Sequence, residues 1–383
     1  MHLRHRNDFC RMLVGVGGIG TGLFFALEGD GTLGRNESRT GRLLDVRDYC
    51  KLHIIAHYVA VLLGAKADGG QFRVVPIGLV GADAAGRRLV AEMAETGMDT
   101  RFVRELSDRP TTMSVCFQYP DGSGGNITTS NGASAALTPA DIDEADGLME
   151  ANAGRFIALA APEVSLEARM HLLKLATDHR GFRAAAFTSA EVRDACGTGI
   201  LSYIDLLAVN EDEAGVIVGE APDPGNPAAF LFKLRSVMAH ANPDIRVILS
   251  VGKHGAFALE RGRWDFCPAL NVPVASTAGA GDAMLGAAIA AIAAVIPLIS
   301  PEADGLGASW RKSLRDRPMD CALDFATLLA ALTVTSPHTI HPHANLQAML
   351  DLAADMGLSF APSLEAKWAS AAEESEVTEG EPK

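Results

Sequence analysis

The chain has 383 residues, 48% of them hydrophobic, which is ample material for a folded core. Its formal net charge of -14 excludes a general affinity for nucleic acid or for an anionic membrane, since either requires a basic surface. Small-molecule chemistry in a cytoplasmic protein fits better: the six cysteines include no CxxC pair and read as reduced thiols, and residues 1–10 lack the pattern of a secretory signal.

The first expected strand covers residues 13–16. Gly15, Gly17 and Gly20 then satisfy the dinucleotide pattern GxGxxG, which requires a helix leaving the glycines and an acidic residue about 20 positions on. Gly29, Asp30, Gly31 and Gly34 break such a helix, so a dinucleotide-binding oxidoreductase is the weaker reading. Residues 23–48, rich in Gly, Arg and Glu, leave the regular plan and are expected to form an insertion or lid segment.

A strand at 74–79 and a helix at 85–96 follow. Val115, Phe117 and Tyr119 alternate within 113–129 ahead of a turn at 120–125, which predicts a hairpin. Strands at 156–160, 184–188, 206–209 and 247–251 then alternate with helices at 166–179 and 228–240. An apolar helix at 283–294 lies in a stretch shorter than the roughly 20 residues of a membrane span and reads as buried core. Residues 296–320 are a second insertion or lid segment, and 324–335 a last helix. His338, His341 and His343 lie in a Pro-interrupted loop without acidic or Cys neighbours, which suits a surface loop better than a metal site. Residues 362–383 read as an acidic disordered tail, leaving one domain over 1–361. This alternation predicts an α/β fold, a doubly wound and mainly parallel sheet between helices, with ligands beyond the carboxyl ends of the strands.

Three stretches carry chemistry. Ser276 to Asp282 read Ser-Thr-Ala-Gly-Ala-Gly-Asp and run into the apolar helix. Such a loop gathers unpaired backbone N–H groups that suit negative charge and sets Asp282 beside them as a potential general base. Asn210, Glu211, Asp212 and Glu213 follow a strand and either hold a hydrated Mg²⁺ or simply open a helix. Ser250, Gly252 and Gly255 form a turn at a strand end. No P-loop sequence GxxxxGK[ST] occurs.

Taken in order, these motifs resemble the PfkB/ribokinase family of carbohydrate kinases: D-T-x-G-A-G-D at 276–282, with Ser276 in the place of the first Asp, N-x-x-E at 210–213, and T-x-G-x-x-G at 250–255. Gly78, Val80, Gly81, Asp83 and Gly86 match a further architectural segment of that family. The resemblance implies a ribokinase-like fold with a small β lid over the acceptor, and transfer of the γ-phosphoryl of ATP to a hydroxyl of a sugar, sugar phosphate or nucleoside. It implies Asp282 as base, an anion hole at Gly279 to Gly281, Asn210, Ser250, Gly252, Gly255 and Thr327 around ATP, and Glu213 on Mg²⁺ through water. The family's Gly-Gly…Asn signature is missing, and glycines replace the Asp usual after the first strand, which marks an atypical member. Asp48 and Lys51 lie nearest the missing signature and are the candidate acceptor contacts. Arg35, Glu37, Arg39, Asp45, Arg47 and His53 are the other charges at hand, and paired Arg and Lys would suit an acceptor bearing phosphate or carboxylate. A ligand-binding or scaffold relative without turnover is the alternative. Ser276 leaves dependence on a monovalent cation open, and the oligomeric state, a homodimer included, stays open too.

Overall fold

The computed structural model describes residues 1–4, 9–29, 32–68, 70, 72–120, 124–222, 227–303 and 310–369. Val, Ile, Leu and Ala dominate the central strands and are buried on both faces, as parallel strands covered by helices require. The first part of the chain supplies β1 (His2–Leu3), β2 (Met12–Val16), β3 (Gly20–Leu27), β4 (Gly41–Tyr49), β5 (Arg73–Gly81), β6 (Val103–Leu106), β7 (Thr112–Gln118) and β8 (Gly124–Thr128). The rest supplies β9 (Phe156–Ala160), β10 (Phe182–Ala186), β11 (Leu206–Asn210), β12 (Arg246–Ser250), β13 (Gly255–Glu260), β14 (Arg263–Pro268) and β15 (Trp368–Ala369). A nine-stranded sheet runs in the order β14-β13-β12-β11-β10-β9-β2-β5-β6. It is parallel except where β13 pairs antiparallel with both β12 and β14.

The helices that matter below are α1 (Lys51–Leu63), α2 (Ala84–Glu95), α3 (Leu166–Asp178), α4 (Glu211–Val218), α5 (Pro227–Ala241), α6 (Ala280–Ala293) and α7 (Ala322–Thr333). Small residues let α1 and α6 approach closely: a Cβ on Gly286 would lie 3.0 Å from the Ile55 carbonyl oxygen. Asp83 caps α2, accepting from Gly86 N at 2.8 Å, and ties it to the lid by accepting from Thr111 N at 2.8 Å. The GxVGxD segment is thus architectural.

Above the carboxyl ends of the strands stands a second sheet, ordered β4-β3-β7-β8. β3 and β4 run through the irregular stretch 23–48, and β7 and β8 pair antiparallel as the expected hairpin, with residues 121–123 of its turn outside the described residues.

Several readings need correction. The dinucleotide pattern fails because β2 passes within three residues into β3, so no helix leaves Gly15, Gly17 and Gly20. The strand expected at 184–188 sits two residues earlier. α1 and the β13/β14 hairpin were not foreseen. Among its described residues, 296–320 forms no helix and is anchored by Arg317, which pairs with Asp320 at 3.0 Å and Asp265 at 3.2 Å. The chain beyond 361 is ordered further than its composition suggests: residues 362–365 form a helical turn, and β15 pairs with β1, Leu3 opposite Trp368. The acidic end, 370–383, lies outside the described residues. Among those described, no helix is long and apolar enough to cross a membrane.

Candidate active site

The start of α6 lies beyond the carboxyl ends of the central strands. Gly279 caps it at φ 83, where L side chains are strained, and a Cβ there would fall 2.2 Å from the Thr339 carbonyl oxygen. Ala283 N donates to Gly279 O at 2.8 Å as the first full helical bond, so the N–H groups of Gly281 and Asp282 have no partner within the helix. The Ala280 N–H differs from its expected role, since it donates to Thr277 O at 3.3 Å. Ser276 braces the turn by accepting from Ala278 N at 3.2 Å.

Asp282 occupies the first turn of α6 with its side chain 14% exposed. Burial raises its pKa from 3.8 to about 6, Lys51 opposes that rise, and Glu213 and Asp48 add to it. Lys51 Nζ stands 4.0 Å from Asp282 Oδ1 and donates to Phe187 O at 3.3 Å. Burial disfavours the Lys51 ammonium, but the charges of Asp282, Glu213 and Glu163 outweigh it and its pKa ends above the usual value. Lys51, Asn210, Glu213, Gly279, Gly281 and Asp282 line one cavity of about 320 Å³.

Asn210 and Glu213 form a reciprocal cap on α4. Asn210 Oδ1 accepts from Glu213 N at 2.9 Å, and Glu213 Oε2 accepts from Asn210 N at 3.0 Å. The motif therefore opens a helix, as the propensity of Asn210 implies. Glu211 and Asp212 face solvent while Glu213 is buried against the cavity, and burial raises the Glu213 pKa. Among the described residues, its second oxygen, Oε1, has only the Ser189 hydroxyl at 3.5 Å, so it can hold a hydrated cation, in keeping with the few protein ligands Mg²⁺ takes.

Ser250, Gly252, Gly255 and Thr327 line an adjoining cavity of about 440 Å³, and Ser250, Gly281 and Met284 border both spaces. Leu270, Val272, Val274, Ala330, Ala331 and Val334 make its walls apolar, as a flat heterocycle prefers. The Thr327 hydroxyl is turned back into its own helix, donating to Leu323 O at 2.8 Å, so it offers the cavity no free donor.

The other side of Asp282 holds what the sequence did not disclose. Glu163, three residues past β9, sits at φ 72, and its Oε2 accepts from the first N–H of α1, Lys51 N, at 3.1 Å. Burial raises its pKa to about 7. Asp48 on β4 accepts from the Ser114 hydroxyl at 3.2 Å. The two carboxylates lean over the glycines that follow β2: a Cβ on Gly18 would lie 2.8 Å from Glu163 Oε2, and one on Gly22 2.1 Å from Asp48 Oδ2. Carboxylates from elsewhere in the chain thus stand where an acid after the first strand was expected and glycines were found. An acidic residue just past a strand end, in Ala161-Pro162-Glu163, was the signal available.

The other charges proposed for the acceptor do not gather here. Arg39 pairs with Glu37, and His53 is buried on α1 against the Tyr49 ring, 4.5 Å between centroids. Arg47 meets the histidine loop through its backbone: its N–H donates to His338 Nδ1 at 3.0 Å, and its carbonyl accepts from Thr339 N at 3.1 Å. Tyr49 N donates to Thr339 Oγ1 at 3.2 Å, so Thr339 touches β4 on one side and Gly279 on the other.

Residues 55–345 match the family model described as pfkB family carbohydrate kinase. Among curated relatives, the ribokinase of Haemophilus influenzae is 23% identical over 277 residues, covering 72% of this chain and 78% of that protein. The solved structure of ribokinase from Giardia lamblia superposes with a TM-score of 0.70 at 17% identity, covering 89% of this chain and 99% of that one. A Ribokinase II from E. coli in complex with ATP and Mg²⁺ gives 0.65 at 17% identity, covering 90% and 99%. At such identities the structural likeness establishes the fold, which is ribokinase-like.

Proposed function

We propose, since this chain belongs to the pfkB family of carbohydrate kinases, that it transfers the γ-phosphoryl of ATP to a hydroxyl of a small sugar-like or nucleoside acceptor. The observation that carries the reading is Asp282 in the first turn of α6, beside two unpartnered amides and facing the cavity that holds Asn210 and Glu213. Asp282 takes the proton of the acceptor hydroxyl, whose oxygen forms the new O–P bond as the β–γ bridging bond breaks and ADP leaves. The Gly281 and Asp282 N–H groups hold charge that develops on the phosphoryl oxygens. Ser250, Gly252, Gly255 and the apolar walls near Thr327 take the nucleotide. Glu213, through water, is the residue suited to Mg²⁺, which would neutralise the phosphates when bound; the E. coli neighbour carries ATP and Mg²⁺ together. The test is ADP release from ATP and Mg²⁺ across a panel of sugars, sugar phosphates and nucleosides. No acceptor-dependent ADP across the panel would defeat the reading.

We also propose that the protein pairs through its lid. Leu23, Val115 and Ile127 lie side by side in the register of β3, β7 and β8, and with Leu43 they leave an exposed apolar face. A second copy presents the same face and can cover it.

A further inference from the structure

We propose that the acceptor carries a protonated amine close to the hydroxyl that is phosphorylated, seated between Asp48 and Glu163. This rests on the phosphotransfer reading above and narrows it.

The balance of charge in the site favours a cation. Asp282, Glu163, Asp48 and Glu213 act electrostatically on one another across this space, Asp48 and Glu213 on Asp282 and Asp282 on Glu163. Among the described residues, Lys51 is the one basic side chain lining the cavity around Asp282, and it is already held by Asp282 and by Phe187 O. Among the described residues, no second positive side chain lines this cavity to meet an anionic acceptor. Of the arginines that the sequence offered for that purpose, the Arg39 side chain is held by Glu37, and Arg47 lines two other cavities and not this one.

A phosphate or carboxylate on the acceptor would bring like charge into a half-buried group of carboxylates, where repulsion is stronger than in water. Glu163 spends Oε2 on the backbone of Lys51 and also accepts from the Cys50 thiol, while Asp48 is held by Ser114. Both are fixed in place, and both are raised in pKa chiefly by burial, which a nearby cation would relieve. An ammonium supplies three donors and the missing charge in one small group. The hydroxyl beside it then reaches Asp282, gives up its proton there, and takes the phosphoryl with ADP as the leaving group.

The experiment uses two matched series, glycerol with serinol and glycerol 3-phosphate, and glucose with glucosamine and glucose 6-phosphate. Binding is read by calorimetry in the presence of ADP and Mg²⁺, and turnover by ADP release from ATP. The amine member of at least one series should bind at least 10-fold more tightly than its neutral parent, the phosphate member should not bind, and Asp48→Asn should bring the amine-to-neutral ratio close to one. An amine that binds no better than its parent in both series, or a phosphate ester that binds best, overturns the inference. Amine binding with no ADP formed from any acceptor would instead overturn the phosphotransfer reading, so the two failures are told apart.

Discussion

Lys51 Nζ stands 4.0 Å from Asp282 Oδ1, which sets the basic side chain of the cavity against the carboxylate suited to take a proton. The pair joins the first turns of α1 and α6, two helices about 230 residues apart in sequence that pack through Gly286.

Replacing Asp282 by Asn keeps the shape and removes the base. Acceptor-dependent ADP release should fall roughly 10²- to 10⁴-fold with little change in nucleotide affinity. Turnover within threefold of the parent would remove Asp282 from the reaction.

The same carboxyl should leave a mark on stability. Its pKa is 3.8 unperturbed and about 6 when folded, so its contribution is fully present below pH 3.8 and is lost as pH rises through 6. At pH 7 the ionised group costs about 3 kcal/mol by the usual conversion of pKa units. Asp282→Asn should therefore raise the urea midpoint at pH 7 and leave it nearly unchanged at pH 4.

The pH profile of turnover follows from the opposing pull of Lys51. Activity should rise through about pH 6 as Asp282 ionises. Since Lys51 lowers that pKa, Lys51→Met should move the acid limb to higher pH, besides reducing the maximum rate. A limb that moves down or stays put would separate the two residues.

Glu213→Gln preserves the bond from Asn210 N, because the amide oxygen still accepts, yet removes the charge facing the cavity. The Mg²⁺ concentration for half-maximal activity should rise roughly 10- to 100-fold with the thermal midpoint within a degree or two. Loss of the fold instead would assign Glu213 to the helix cap alone.

Gly279→Ala places a Cβ against the Thr339 carbonyl at positive φ. A loss of about 1–3 kcal/mol in chemical denaturation is expected, with activity reduced further than stability explains.

Ile127→Glu, on the exposed face of β8, should convert a dimer to a monomer in sedimentation velocity without altering the far-UV spectrum. A parent protein that sediments as a monomer at micromolar concentration would end the lid-pairing proposal.

Much of the fold was legible because the strands under the site are short apolar runs bounded by turn residues, as at Phe156–Ala160, where reading and structure coincide. α1 is not, since its run Leu52 to Leu63 is apolar nearly all round and carries no clear amphipathic period. The motifs proposed for the donor end are contiguous, four residues at 210–213 and seven at 276–282, so a local pattern can name them. The proposed acceptor end draws on β4, the start of α1 and the turn after β9, with Glu163 112 residues from the amide it caps. No local pattern announces such a meeting. The cap at Asn210 and Glu213 shows the converse: the two bonds that open the helix also leave the second Glu213 oxygen toward the cavity, so a helix start and the proposed cation role are compatible.

Thr339 gives the lid a mechanical address. It holds β4 through Arg47 and Tyr49, and its carbonyl packs on Gly279 at the phosphate turn. On the proposed reading, a lid closing over the acceptor would move the strand that Thr339 grips and pass the displacement to the turn at Gly279, so each substrate should tighten the binding of the other by the same factor.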